Sequence, residues 1–194
     1  MQKRHRIFIA INLPEEVRIE LAKYNDKWPE LPAKWTAKDN LHITLEFLGD
    51  LTDVEIGDVC LVVKEVAGKH KFFSINLQKI CYGGVRPGTD PGLSPKMVWV
   101  EGEKNDDLAD LKQDLQECLL EKISYRPEVR GFTPHITLAR INEWEFRKIE
   151  PEERPEVNED IDFVVPAESI EIMESELKRA GQVYTILESH NLKE

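Results

Sequence analysis

"LHITLEFLG" at residues 41–49 and "PHITLAR" at residues 134–140 write one tetrapeptide, His-Ile-Thr-Leu, at two distant places in the chain. Four repeated residues carry little weight alone, so their surroundings decide. "RIFIAIN" (6–12) reads as a short buried strand closed by Pro14. Pro14 to Lys27 follows as a helix with Val17, Leu21 and Tyr24 on one face, and "HITLEFLG" (42–49) as an alternating strand stopped by Gly49-Asp50. The order then returns: "KMVWVEG" (96–102) reads as a strand, 105–123 as a helix and "PHITLARI" (134–141) as a strand. The two histidines and the strands opening the two units are offset by nearly the same distance along the chain. The tetrapeptides therefore hold the same place in two copies of one strand–helix–strand unit. Such units pack about a pseudo-twofold axis, which brings both HIT strands to the centre.

Between and after the units, residues 53–69 read as a helix capped by Asp53, and "FFSINLQKI" (72–80) as a strand. The Gly/Pro-rich stretch 83–95 reads as a loop and "EERPEVNED" (152–160) as an acidic surface connection. Two or three strands, "IDFVVP", "ESIEIMESEL" and "QVYTILES", close the chain. Long β-α crossovers do not follow every strand, so the expectation is an antiparallel α+β protein rather than a doubly wound one. Residues 1–194 are read as a single bilobal domain.

The 194 residues are 41% hydrophobic and 32% charged, enough apolar material for a real core. A net charge of −11 excludes a protein that wraps long nucleic acid, because that needs many Lys/Arg contacts to phosphates. It still permits a local basic pocket for a small anion. Cys60, Cys81 and Cys118 lack C-x-x-C spacing. Cys60 shares a helical face with Ile56, Val59 and Val63, and Cys118 with Leu108, Leu111 and Leu115, so they read as buried reduced thiols. "MQKRHRIFIAINLP" opens like a signal peptide, but its apolar run is short, interrupted by Asn12 and Pro14, and lacks a small-residue cleavage site. No stretch reaches membrane-spanning length. The expectation is a cytoplasmic monomer that does not engage a membrane.

Side chains alternate across a strand. His42 and Thr44 thus share one face of the first motif strand, and His135 and Thr137 one face of the second. Two such faces across a groove offer two imidazoles and two hydroxyls. One imidazole can accept a proton while its partner donates one, which suits in-line displacement at phosphorus. Arginine adds a bidentate phosphate partner. Taken singly, a histidine on a strand is usually structural or exposed. As a pair the two could also ligate a metal, yet no H-E-x-x-H, H-x-H or carboxylate-rich cluster surrounds either. His5, His70 and His190 sit in ordinary polar contexts and are assigned no role.

At these residues the sequence resembles the two-histidine (2H) phosphoesterases, defined by a pair of H-x-[T/S]-x motifs. It is most similar to their RNA 2′,3′-cyclic phosphodiesterase branch, also called the 2′-5′ RNA ligase family. "RIFIAINLPEE", "KWTAKDNLHITLEFLGDL", "MVWVEGE", "RGFTPHITLAR" and "ESELKRAGQVYTIL" carry the resemblance over nearly the whole chain. It implies a bilobal fold with an antiparallel sheet in each lobe and a cleft between them. It implies that His42 and His135 act as acid and base, that Thr44, Thr137 and Arg140 bind the phosphate, and that no metal or other cofactor is used. The implied reaction opens 2′,3′-cyclic phosphates, at RNA 3′ ends or on nucleotides, to 2′-phosphates. Alternatives are a 2H activity on another small ester (a cyclic phosphate of ADP-ribose, or a 2′-5′ oligonucleotide with reverse ligation) and a non-catalytic RNA-end binding module.

Strict alternation puts Arg140 on the wrong face, so a bulge or the strand end must re-aim it. Phe47 could stack on a base, but its parity assigns it to the core. The loop 83–95 is expected to border the cleft. Arg130, Lys34 and Lys38 could serve an RNA tail, and each otherwise reads as a solvated charge.

Overall fold

The short apolar runs of the sequence all become strands of one curled sheet, and the periodic segments become helices that cover one of its faces. The computed structural model of the protein describes residues 3–83, 94–127, 132–179 and 181–194. The expected loop 83–95 thus falls almost wholly outside the described residues, and Arg130 does too. In chain order the elements are β1 (His5–Asn12), α1 (Glu15–Ala22), β2 (Ala33–Trp35), β3 (His42–Leu51), α2 (Asp53–Ala67), β4 (Phe73–Gly83), β5 (Met97–Gly102), α3 (Asp106–Leu120), β6 (His135–Ile141), α4 (Glu143–Phe146), β7 (Asn158–Ala167), β8 (Ser169–Lys178) and β9 (Gly181–Asn191).

The sheet runs β7-β4-β5-β6-β3-β1-β8-β9, with β2 added beside β6, and every one of these neighbours is antiparallel. It divides into two four-stranded halves. They meet where the motif strands touch, at the single pair Ile43↔Ile136. Both isoleucines are fully buried, and each such side chain contributes about 1.5–3 kcal/mol of hydrophobic stabilisation. This is the expected α+β architecture of two antiparallel lobes with the HIT strands at the centre. Apart from β2, the second half is continuous along the chain, whereas the first joins β1 and β3 to β8 and β9.

Ile7, Ile9 and Ile11 of β1 point into the main core, while Phe8 and Ala10 point to the opposite face, against Met173 and Tyr184. The core face is closed by Val59, Val62, Val63 and Val66 of α2 and by Leu108, Leu111, Leu115 and Leu119 of α3. Thr52, one residue before the expected Asp53, caps α2. Its hydroxyl accepts from the Glu55 amide while the Glu55 carboxylate accepts from the Thr52 amide, a reciprocal box that aspartate one position later could not make. The acidic connection 152–160 is shorter than its composition suggests, because Asn158 already starts β7 and Val157 is buried. Strand β2 carries too few residues to show a period. All three cysteines are free thiols and half-buried rather than fully buried. Among the described residues no helix is long and apolar enough to cross a membrane.

Both motif strands break alternation at the same point. Ala10 pairs with Thr44 and Ile9 with Glu46, which leaves Leu45 as an extra residue. Trp99 pairs with Thr137 and Val98 with Ala139, which leaves Leu138 extra. The leucine that ends each His-Ile-Thr-Leu is therefore a β-bulge. Two consecutive side chains point to the core there, and the next one points out.

Candidate active site

A cleft of about 860 Å³ opens over the meeting point of the two halves. His42, Thr44, His135, Thr137 and Arg140 all line it, so the structure brings the five expected residues to one place. The Leu138 bulge turns Arg140 into the cleft, as its position five residues after His135 required. The same bulge at Leu45 turns Phe47 there too. Phe47 is 63% exposed and lines the cleft, which corrects its assignment to the core.

Each imidazole is held by the backbone two residues before it. His42 Nδ1–H donates to the Asn40 carbonyl at 2.7 Å, and His135 Nδ1–H donates to the Thr133 carbonyl at 3.0 Å. A carbonyl can only accept, so the proton sits on Nδ1 and Nε2 is the nitrogen left for chemistry. His42 Nε2 lies 3.0 Å from Thr44 Oγ1. Aromatic rings brace both imidazoles. Phe8 and Tyr184 stand 4.9 and 5.2 Å from the His42 ring, and Trp99 stands 4.3 Å from that of His135. Burial is the main cause that lowers the pKa of His42 from its ordinary value, and the nearby His135 adds to it. The Asn40 carbonyl opposes both.

Trp99, which pairs with Cys81, lays its ring toward His135 across Gly83, the diagonal residue on β4. A Cβ on Gly83 would lie 2.1 Å from the Trp99 ring. Gln182 at the start of β9 accepts through its carbonyl from Asn40 Nδ2, so the last hairpin arches over the segment that latches His42. None of Phe8, Trp99 and Tyr184 was anticipated. Their only sequence signal was an aromatic residue inside a strand, which reads as core.

Arg6, Lys96 and Arg140 line the cleft, and among the described residues no Asp or Glu does. A chain of net charge −11 thus keeps a cationic hollow at its centre, suited to an anion. The Tyr184 hydroxyl marks the field. Burial pushes its pKa up while the positive charges of Arg140 and Arg6 pull it down. Among the described residues no cluster of three or more His, Cys, Asp or Glu is placed to hold a metal ion. Lys34 pairs with Arg140 across β2 and β6 and Lys38 pairs with Glu15, and neither is among the residues that line the cleft.

A family model of LigT-like phosphoesterases matches residues 11–89 and 98–184, which include both motif strands. The chain belongs to the LigT-like phosphoesterase family. Among the relatives of this phosphoesterase, the RNA 2′,3′-cyclic phosphodiesterase of Thermus thermophilus is 32% identical over 97% of this chain and 90% of its own. That of Methanocaldococcus jannaschii is 27% identical over 94% and 98%. A crystal structure of a Thermus thermophilus protein superposes with a TM-score of 0.80 at 28% identity, covering 97% of this chain and 98% of that one. The structure of Escherichia coli LigT complexed with 3′-AMP shares the fold, with a TM-score of 0.76 at 24% identity and coverage of 99% and 100%.

Proposed function

We propose that this phosphoesterase hydrolyses 2′,3′-cyclic phosphates, at RNA 3′ ends or on nucleotides, to 2′-phosphates without a metal ion. One observation carries the reading. Two imidazoles, latched alike through Nδ1, present Nε2 to one cleft whose charged lining is cationic. A binding module would need donors there, but not two imidazoles latched alike with Nε2 facing one cleft. The names of the relatives support the substrate class.

In the proposed reaction His135 Nε2 takes a proton from water as the water oxygen bonds to phosphorus. The P–O3′ bond breaks on the opposite side, and O3′ takes the proton from His42 Nε2–H. The product carries a 2′-phosphate and a free 3′-hydroxyl. The imidazoles have then exchanged protonation states, which solvent restores. Thr44 and Thr137 donate to the non-bridging oxygens, and Arg140 neutralises the charge that builds on them. Phe47, exposed beside the site, offers a face on which the base stacks.

Turnover of adenosine 2′,3′-cyclic phosphate, followed by phosphorus NMR, tests this. A single 2′-phosphate is expected. A mixture of 2′- and 3′-phosphates would overturn the fixed in-line geometry, and no turnover would overturn the reading itself.

A further inference from the structure

A bulged residue leaves the regular ladder, so its carbonyl needs a donor from elsewhere. In the second half the Leu138 carbonyl accepts from the backbone amide of Thr36, just after β2, at 2.8 Å. In the first half the Leu45 carbonyl accepts from Lys112 Nζ at 2.5 Å. Lys112 sits on α3, which joins β5 to β6 in the second half, so this bond ties the two halves together beneath the cleft. The same ammonium donates to Glu46 Oε2 at 2.7 Å, and Gln116 Nε2 donates to that oxygen at 2.8 Å. The side chains of Lys112 and Glu46 are only 9% and 2% exposed. At the equivalent place in the second half stands Ala139, which needs no such partner.

Burying an ion pair is seldom explained by stability, because desolvation offsets most of the attraction. This one has a positional consequence. Lys112 Nζ also lies 4.8 Å over the Phe132 ring. Lys112 and Phe132 line a side chamber of about 260 Å³ together with Thr44, Phe47 and His135. The group that fixes the bulge is therefore next to the residues that the bulge aims.

We infer that Lys112 is a positioning residue for the active site. By holding the Leu45 carbonyl it fixes the bulge, and through the bulge it sets where Thr44 and Phe47 meet the substrate. Glu46 holds the ammonium in place and lines the same side chamber. The inference rests on the proposed cyclic phosphodiesterase activity. A wild-type protein without that activity would remove its basis, whereas the variants differ from one another only on an active wild type.

The test compares three proteins on adenosine 2′,3′-cyclic phosphate, with thermal melts recorded for each. Glu46→Leu with Lys112→Met replaces the pair by apolar groups of similar size, which preserves folding but removes the donor to Leu45. Its kcat/KM should fall roughly 10- to 100-fold at nearly unchanged Tm. Glu46→Gln leaves an acceptor beside Lys112 and the donor to Leu45 in the chain, so its kcat/KM should fall less than that of the Leu/Met protein, by under about tenfold. A double-mutant cycle separates aiming from general loosening. In the Leu/Met background Phe47→Ala should cost little more, because Phe47 has already lost its aim, whereas in wild type it should cost its full effect. Wild-type kinetics in the Leu/Met protein would overturn the inference. So would an equal cost of Phe47→Ala in both backgrounds, or a loss in Glu46→Gln as large as in the Leu/Met protein. Should the Leu/Met protein not fold, Lys112→Arg decides. It keeps donors for both partners and should retain the Phe47→Ala cost, and loss of that cost would sink the inference.

Discussion

Phe47 and Arg140 occupy the same position of the repeated unit, each five residues after its histidine and each turned into the cleft by a bulged leucine. One backbone device thus delivers an aromatic ring to one motif strand and a guanidinium to the other. The two substitutions should separate in kinetics. Phe47→Ala removes stacking worth about 1–3 kcal/mol and should raise KM roughly 5- to 150-fold with kcat nearly kept. Arg140→Ala should lower kcat itself, and Arg140→Lys should restore only part of it, since an ammonium lacks the fork. Steady-state kinetics on adenosine 2′,3′-cyclic phosphate would settle this, and an Arg140 effect confined to KM would count against its charge-neutralising role.

His42→Ala and His135→Ala should each lower turnover about 10²- to 10⁴-fold, with the double variant little worse than either. Both imidazoles line a cleft, so the folded state should survive by circular dichroism. Nearly normal turnover in one single variant would exclude the acid–base pair.

The pH dependence follows from the lowered pKa of His42, below its ordinary 6.5. As the acid, His42 must be protonated, and that form is lost as pH rises through the lowered value. The free-enzyme profile of kcat/KM should be a bell with one break, that of His42, below about 6.5. A bound phosphate anion favours the charged imidazole, so the same break should lie at higher pH in kcat. His42→Ala should abolish the decline at high pH and His135→Ala the rise at low pH. Exchanged limbs would reverse the acid and base assignments.

Exhaustive chelation should leave activity intact, because the proposed chemistry uses two imidazoles, two hydroxyls and a guanidinium. Loss of activity in EDTA that zinc or manganese restores would point instead to a metal on the histidines.

Gly83 should tolerate no side chain. Gly83→Ala puts a methyl 2.1 Å from the Trp99 ring, which must swing away and release its contact with His135. A roughly tenfold or greater fall in kcat is expected, together with a change in tryptophan fluorescence. Unchanged kinetics with a displaced Trp99 would show that the ring does not brace the imidazole.

The motif residues were legible because strand parity is a local property. His42 with Thr44, and His135 with Thr137, needed no tertiary knowledge to share a face. Arg140 already demanded a bulge, and the repeat would have carried the same bulge to Phe47 had the two strands been read as one backbone. The latches were not legible, since the carbonyls of Asn40 and Thr133 have no signature in side-chain identity. Tyr184 was hidden for another reason. It reaches His42 from β9, far along the chain, and only the curl of the sheet brings them together.

The first half of the sheet joins β1 and β3 to β8 and β9, and this orders events during synthesis. As the chain emerges, β4 to β7 can complete the second half while β1 still presents one bare edge. That edge carries Phe8, Ile9 and Ala10, an apolar strand open to pairing with another chain until β8 arrives to cover it. His42 stands on β3, the other neighbour of β1, and Tyr184 comes with β9, so the first imidazole gains its full surroundings last. Dilute, slow refolding should therefore favour active protein, and crowded refolding should lose it to association through β1.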